Sequence, residues 1–214
     1  MPDIERSQPE GEGAVRKLLW VMAVVAALLG GLLYLGLEKS GAEKPASTAA
    51  ALPFGGPFEL TRSNGSVLTD KMLAGRPYAI FFGFTRCPDV CPTTLSRLAL
   101  WRKQLGEAGE KFDIVFVSVD PERDKPADIG AYVELFGTPI IAATGTQAQL
   151  AQIRKGFGVY VKKVPLDPAK PKGDYTIDHT AGIFLMDAKG RLSSIIDHHE
   201  AEATALDKLR MLVG

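Results

Sequence analysis

Residues 81–95 read FFGFTRCPDVCPTTL: the end of an apolar run, then two cysteines four positions apart, then the start of a helical pattern. The apolar run begins at Tyr78 and continues to Phe84 (YAIFFGF), as expected of a strand covered on both faces. Pro92 suits a helix first turn, where a missing N–H costs nothing. Leu95, Leu98 and Leu105 then fall on one helical face, and Gly106 is placed to end the helix. Cys87 and Cys91 therefore sit between a buried strand and a helix. In open α/β sheets, the crevice at the carboxyl ends of the strands is where ligands bind.

The chain on either side of this segment supplies the rest of a sheet. Upstream, Phe58-Glu59-Leu60 and Val67-Leu68 flank Asn64-Gly65, whose residues tolerate positive φ and predict a hairpin. Downstream, residues 112–119 (FDIVFVSV) form a second buried strand closed by Asp120-Pro121. Ile129, Val133 and Phe136 keep helical spacing before Gly137. Ile140 to Ala142 is a short strand, and Leu150, Ile153 and Phe157 mark another helix. Residues 165–174 (PLDPAKPKGD) read as a polar, proline-rich loop. Ile183–Met186 and Leu192–Ile196 pair as a hairpin, and Leu206, Leu209 and Val213 line a last helix. Alternating strands and helices, then a hairpin and a helix, predict an α/β domain. Its layout is thioredoxin-like: a mixed central sheet flanked by helices and preceded by an N-terminal β-hairpin.

Near the N-terminus the composition changes sharply. Residues 18–37 (LLWVMAVVAALLGGLLYLGL) carry no charge, and at 1.5 Å per residue they span about 30 Å, the hydrocarbon thickness of a bilayer. Trp20 and Tyr34 stand near its ends, where amphipathic rings favour the headgroup level. A cleaved secretory signal is the rival reading, but its apolar core is usually about 7–15 residues long. The chain thus divides into a cytoplasmic segment (1–17), a transmembrane anchor (18–37), a flexible alanine-rich linker (38–52) and a folded domain (53–214). Acidic residues at 3, 5, 10 and 12 argue against a mitochondrial targeting peptide. The arrangement that fits is a single-pass protein of a bacterial inner membrane, its C-terminal domain in the periplasm.

With 25 basic and 25 acidic side chains among 214 residues, the chain has no net charge, so the basic footprint of a nucleic-acid-binding protein is absent. Hydrophobic residues at 46% exclude a mainly disordered chain. Two cysteines exclude a disulfide-framework miniprotein.

The chemistry rests on the thiols. A helix N-terminus lowers a thiol's pKa and favours thiolate, the form that attacks disulfides and binds metal; Arg86 beside the pair is expected to add to this. An inert bridge closing so small a loop would add little stability. A third ligand separates a metal site from a redox pair, and His179, in DYTIDHTAGIFLMD just before a buried strand, is the candidate. Two thiolates and one imidazole suit Cu(I), or Cu(II) with added oxygen ligands, whereas structural zinc wants four ligands. Asp89 and Asp178 are candidate extra ligands. His198-His199 is expected at the start of the last helix, and Met186 in the core. A thiol–disulfide oxidoreductase, with His179 tuning the thiols, is the main alternative. A peroxide-reducing enzyme and a pure interaction module are weaker ones.

In these features the chain resembles the Sco/SenC family of copper chaperones. The resemblance is carried by the N-terminal span, FTRCPDVCPTTL at 84–95, VSVDPERDKP at 117–126 and DYTIDHTAGIFLMDAKG at 174–190. It implies a thioredoxin-like fold and Cys87, Cys91 and His179 as copper ligands. It also implies delivery of copper to the dinuclear CuA site of cytochrome c oxidase subunit II, or reduction of that subunit's cysteines. Another copper chaperone or a thioredoxin-like reductant would be a further partner. Unlike typical thioredoxin reductants, the chain has CxxxC and no proline before the strand facing the thiols, which favours metal over disulfide exchange. The Asp120-Pro121-Glu122 loop matches the family but suggests no chemistry of its own.

Overall fold

The computed structural model describes residues 12–39 and 54–214, which fall in two units divided between residues 50 and 51. The first unit contains helix α1 (Glu12–Lys39), which extends beyond the uncharged run at both ends. Side-chain surroundings within it are described for residues 19–31, all exposed. Among the described residues no helix is long and apolar enough to span a membrane. Residues 1–11 and 40–53, which hold most of the expected cytoplasmic segment and linker, lie outside the described residues.

The second unit opens with β1 (Glu59–Arg62) and β2 (Val67–Thr69), the expected hairpin. Only Gly65 takes a positive φ, +82°, and its N–H donates to the Arg62 carbonyl while Arg62 N–H donates to that of Ser66. That is a type I turn followed by a left-handed glycine, not the two-residue turn that Asn-Gly suggests. A short α2 (Asp70–Leu73) leads to β3 (Tyr78–Gly83), α3 (Val90–Gln104), a 3-10 turn (Gly106–Lys111) and β4 (Asp113–Ser118). Then come α4 (Pro126–Glu134), β5 (Ile141–Thr144), α5 (Gln147–Phe157), β6 (Val161–Pro165) and β7 (Tyr175–His179). The chain closes with β8 (Ile183–Met186), β9 (Leu192–Ile196) and α6 (Glu202–Val213).

Seven strands form one mixed sheet in the order β2-β1-β5-β4-β3-β8-β9. The central β3, β4 and β5 are parallel, while β1 and β8 run antiparallel to β5 and β3. All six residues of β3 are buried, so its uninterrupted apolar sequence is that of a strand covered on both faces. Burying each of Phe81 and Phe82 contributes about 1.5–3 kcal/mol. Helices α3 to α6 each turn a buried stripe to the core, including Leu95 and Leu98, Ile129 and Val133, Ile153 and Phe157, and Leu209. Met186 is buried as expected.

Two sequence expectations are corrected and one is extended. Helix α3 begins at Val90, two residues earlier than Pro92 suggests, so Cys91 lies in its first turn. Residues 166–174 form the expected loop, but it closes a separate two-stranded ribbon that was not expected, in which β6 pairs antiparallel with β7 from Val161↔His179 to Pro165↔Tyr175. His198 and His199 precede α6, which starts only at Glu202; their turn is held by Arg97, which donates to the carbonyls of His198 and Glu200.

Candidate metal centre

The topology brings the cysteines and His179 together. Strand β3 ends at Gly83, and the chain turns through the cysteine loop into α3. Strand β8 runs antiparallel beside β3 with Ile183 opposite Phe81, so its beginning lies near the end of β3. His179 ends β7, only three residues before β8. The imidazole therefore enters the crevice from the ribbon while the thiols enter from the strand–helix junction.

The coordinating atoms of Cys87, Cys91 and His179 all lie within 4.8 Å of one another. His179 Nε2 is 3.5 Å from Cys91 Sγ, and Nδ1 is 2.9 Å from the Thr180 carbonyl. A carbonyl only accepts, so Nδ1 carries the proton and Nε2 turns its lone pair to the sulfurs, the tautomer a metal requires. Phe81 and Phe84 meet the imidazole edge-on, with ring centroids 6.0 and 5.9 Å away. The two thiols are not joined by a disulfide. Cys91 is fully buried, whereas Cys87 and His179 are partly exposed on a cleft that Pro88, Asp89, Thr176 and Asp178 also line. One side of the cluster is sealed and the other faces solvent.

The two sulfurs differ electrostatically. Cys87 is brought down to about 4, first by the hydrogen bond from the Cys91 thiol, with the Cys91 amide adding to it against the cost of burial. The Cys91 N–H lies 3.4 Å from Cys87 Sγ, the helix N-terminal contact that the strand-to-helix placement predicts. Cys91 is pushed up, by the same hydrogen bond and by burial. Arg86 is exposed, and the groups that lower Cys87 most do not include it. The pair thus holds one proton between two sulfurs.

The other candidates stand apart. Asp89 and Asp178 are exposed on the cleft, and neither joins the three-residue cluster; Asp89 instead accepts from Thr93 Oγ1 at 3.2 Å. The His198 ring reaches Thr94 Oγ1 at 3.5 Å, and His199 is exposed. Sequence reasoning missed Gly83: a Cβ there would fall 2.8 Å from Cys91 Sγ, so only glycine lets that sulfur approach the end of β3. Its signal was the single glycine interrupting an apolar strand, which marks a close approach.

A strand-to-helix thiol pair, faced by an imidazole across the end of a mixed sheet, defines a thioredoxin-like domain built for soft-metal or thiol chemistry. A model of the SCO1/SenC family matches residues 46–214, and the chain belongs to that family. Protein SCO2, mitochondrial, from Saccharomyces cerevisiae is 34% identical over 199 residues, 89% of this chain and 65% of its own length. Protein SCO1, mitochondrial, from the same yeast is 36% identical over 156 residues, covering 72% of this chain and 52% of its own. This chain therefore spans between half and two thirds of those relatives. A solved structure of Bradyrhizobium japonicum ScoI with copper bound is 42% identical, covers 74% of this chain and 99% of that one, and superposes with a TM-score of 0.67.

Proposed function

We propose that this chain is a membrane-anchored copper chaperone that holds its cargo on Cys87, Cys91 and His179 and delivers it to the CuA site of cytochrome c oxidase subunit II. The observation that carries the reading is the convergence of two sulfurs and a correctly oriented imidazole nitrogen in a cluster with one open side. The donor set fits the cargo: two thiolates and one neutral imidazole suit Cu(I), while Cu(II) would need oxygen donors from solvent. Binding takes the proton from Cys91, and the Nδ1–carbonyl hydrogen bond holds the ring in place. The buried Cys91 sulfur is shielded, so an incoming partner thiolate reaches the site from the exposed Cys87 and His179 side and takes the ion by stepwise ligand exchange. Joining Cys87 and Cys91 as a disulfide removes both thiolates, which ties occupancy to redox poise.

On this reading residues 18–37 anchor the chain in a bacterial inner membrane. Residues 1–17 lie in the cytoplasm, and 38–52 tether the 53–214 domain in the periplasm. Uncharged sequence over a bilayer's thickness supports the anchor, and resistance to alkaline extraction together with protease sensitivity from the periplasmic side tests it.

The primary test is competitive titration of the reduced full chain in detergent with Cu(I), beside His179→Ala. One-to-one binding that weakens in the variant supports the site, and no competition by the reduced wild type rejects it. The low pKa of Cys87 favours a second reading, a thiol–disulfide oxidoreductase. In that case the Cys87 thiolate attacks a partner disulfide, and Cys91 resolves the mixed disulfide, leaving the chain oxidised and the partner reduced. Turnover of a protein disulfide by the metal-free chain would favour it.

A further inference from the structure

The cysteines follow a strand of one sheet and the histidine ends a strand of another, and one loop touches the supports of both. In the loop after β4, Asp124 is a buried carboxylate, 1% exposed, that forms no ion pair among the described residues. It accepts from Ser118 Oγ at 2.6 Å, Thr85 Oγ1 at 2.6 Å and the Thr85 N–H at 2.8 Å. Thr85 is two residues ahead of Cys87. In the same loop the fully buried Asp120 accepts from Arg123 Nε at 2.5 Å and from the Tyr175 hydroxyl at 2.8 Å. Arg123 also donates to the Tyr175 carbonyl at 2.8 Å and lies over its ring, 3.7 Å from the centroid. Tyr175 opens β7, the strand that His179 ends.

We propose that the loop from Ser118 to Lys125 is a two-ended clamp that sets the distance between the thiols and the imidazole. Asp124 fixes the cysteine loop through Thr85, and Asp120 with Arg123 fixes the histidine ribbon through Tyr175. These are positioning residues: none lines the crevice, and apart from the field of the Asp124 carboxylate at Cys91 they act through their hydrogen-bonded neighbours. The arrangement accounts for buried carboxylates that Cys87, Cys91 and His179 do not themselves use. A carboxylate left without its donors in such a place is costly, so each end holds its partner firmly. The inference rests on reading the three residues as a copper site, but the clamp's geometry has consequences in the metal-free protein as well.

The two ends are separable, and the test uses that. In the reduced, metal-free full chain, Asp124→Asn and Thr85→Val are expected to displace the Cys87–Cys91 disulfide potential while leaving the His179 ring signals in nitrogen–proton NMR spectra in place. Tyr175→Phe, which keeps the ring under Arg123 but loses the hydroxyl, is expected to do the reverse. Thr85→Ser keeps the donor and should behave as wild type, which guards against Asp124→Asn failing to fold. Each end, once loosened, should lower Cu(I) affinity by about tenfold or more, the usual effect of removing a support behind a metal ligand. Equal displacement of both readouts by every variant, or wild-type behaviour of Thr85→Val and Tyr175→Phe, would overturn the clamp. If the crossed pattern holds but the wild type takes up no copper, the clamp stands and the copper reading fails.

Discussion

A methyl group on residue 83 would fall 2.8 Å from Cys91 Sγ, 3.0 Å from the Phe81 ring and 3.1 Å from that of Phe116. None of the three has room to retreat, because all are fully buried. Gly83→Ala is therefore expected to cost about 1–3 kcal/mol, as overpacking in a close-packed core does, and denaturant unfolding of the reduced chain measures it. The same displacement should push Cys91 Sγ off its place beside His179 and weaken metal binding. Cys87 supplies a pH signature. Its lowered pKa makes the reduced protein carry one thiolate at neutral pH, so ultraviolet thiolate absorbance should show one step near pH 4 that Cys87→Ser abolishes. The unfolded chain keeps that proton up to about pH 9, and binds more protons than the folded chain between the two values. The stabilisation from the pair therefore grows from pH 4 to about pH 9 and declines above it, where the folded Cys91 keeps a proton that the unfolded chain gives up.

At the scale of elements, readability followed burial pattern. Strand β3 and the β8–β9 hairpin were legible because apolar runs bounded by turn residues have few alternatives, and α5 because Leu150, Ile153 and Phe157 make a regular stripe ended by Gly158. The ribbon was not. Residues 162–164 of β6 are all exposed, so Val-Lys-Lys-Val-Pro carries no alternation, and its pairing with β7 depends on backbone hydrogen bonds that leave no mark in composition. The candidate ligands were legible as residue types. Their supports were not, because Asp120, Asp124 and Tyr175 act through contacts 39 to 55 residues away in sequence. Helix α5 offers a control for these arguments. Its capping box joins the Thr146 hydroxyl to the Gln149 N–H, with the Gln149 side chain returning to Thr146. Thr146→Ala should cost about 1 kcal/mol of stability and leave Cu(I) affinity unchanged, a separation that melting and titration together would show.

For the whole molecule, metal uptake and proton balance are linked. With Cys87 already ionised, Cys91 protonated and His179 Nε2 bare, Cu(I) binding at neutral pH should release about one proton per ion, and calorimetry in buffers of different ionisation enthalpy counts it. Release should rise as the pH is lowered through the Cys87 step. The site also joins two sheets that share no ladder hydrogen bond: the thiols lie just beyond the end of β3 in the seven-stranded sheet, and the imidazole ends a strand of the ribbon. An ion held by all three is thus a rivet between two plates. Loading should slow amide exchange along residues 161–179, far beyond the three ligands, while the interior of β3 and β4 barely changes. The face around residues 161–179 is therefore expected to be stiffer with the ion bound than without it.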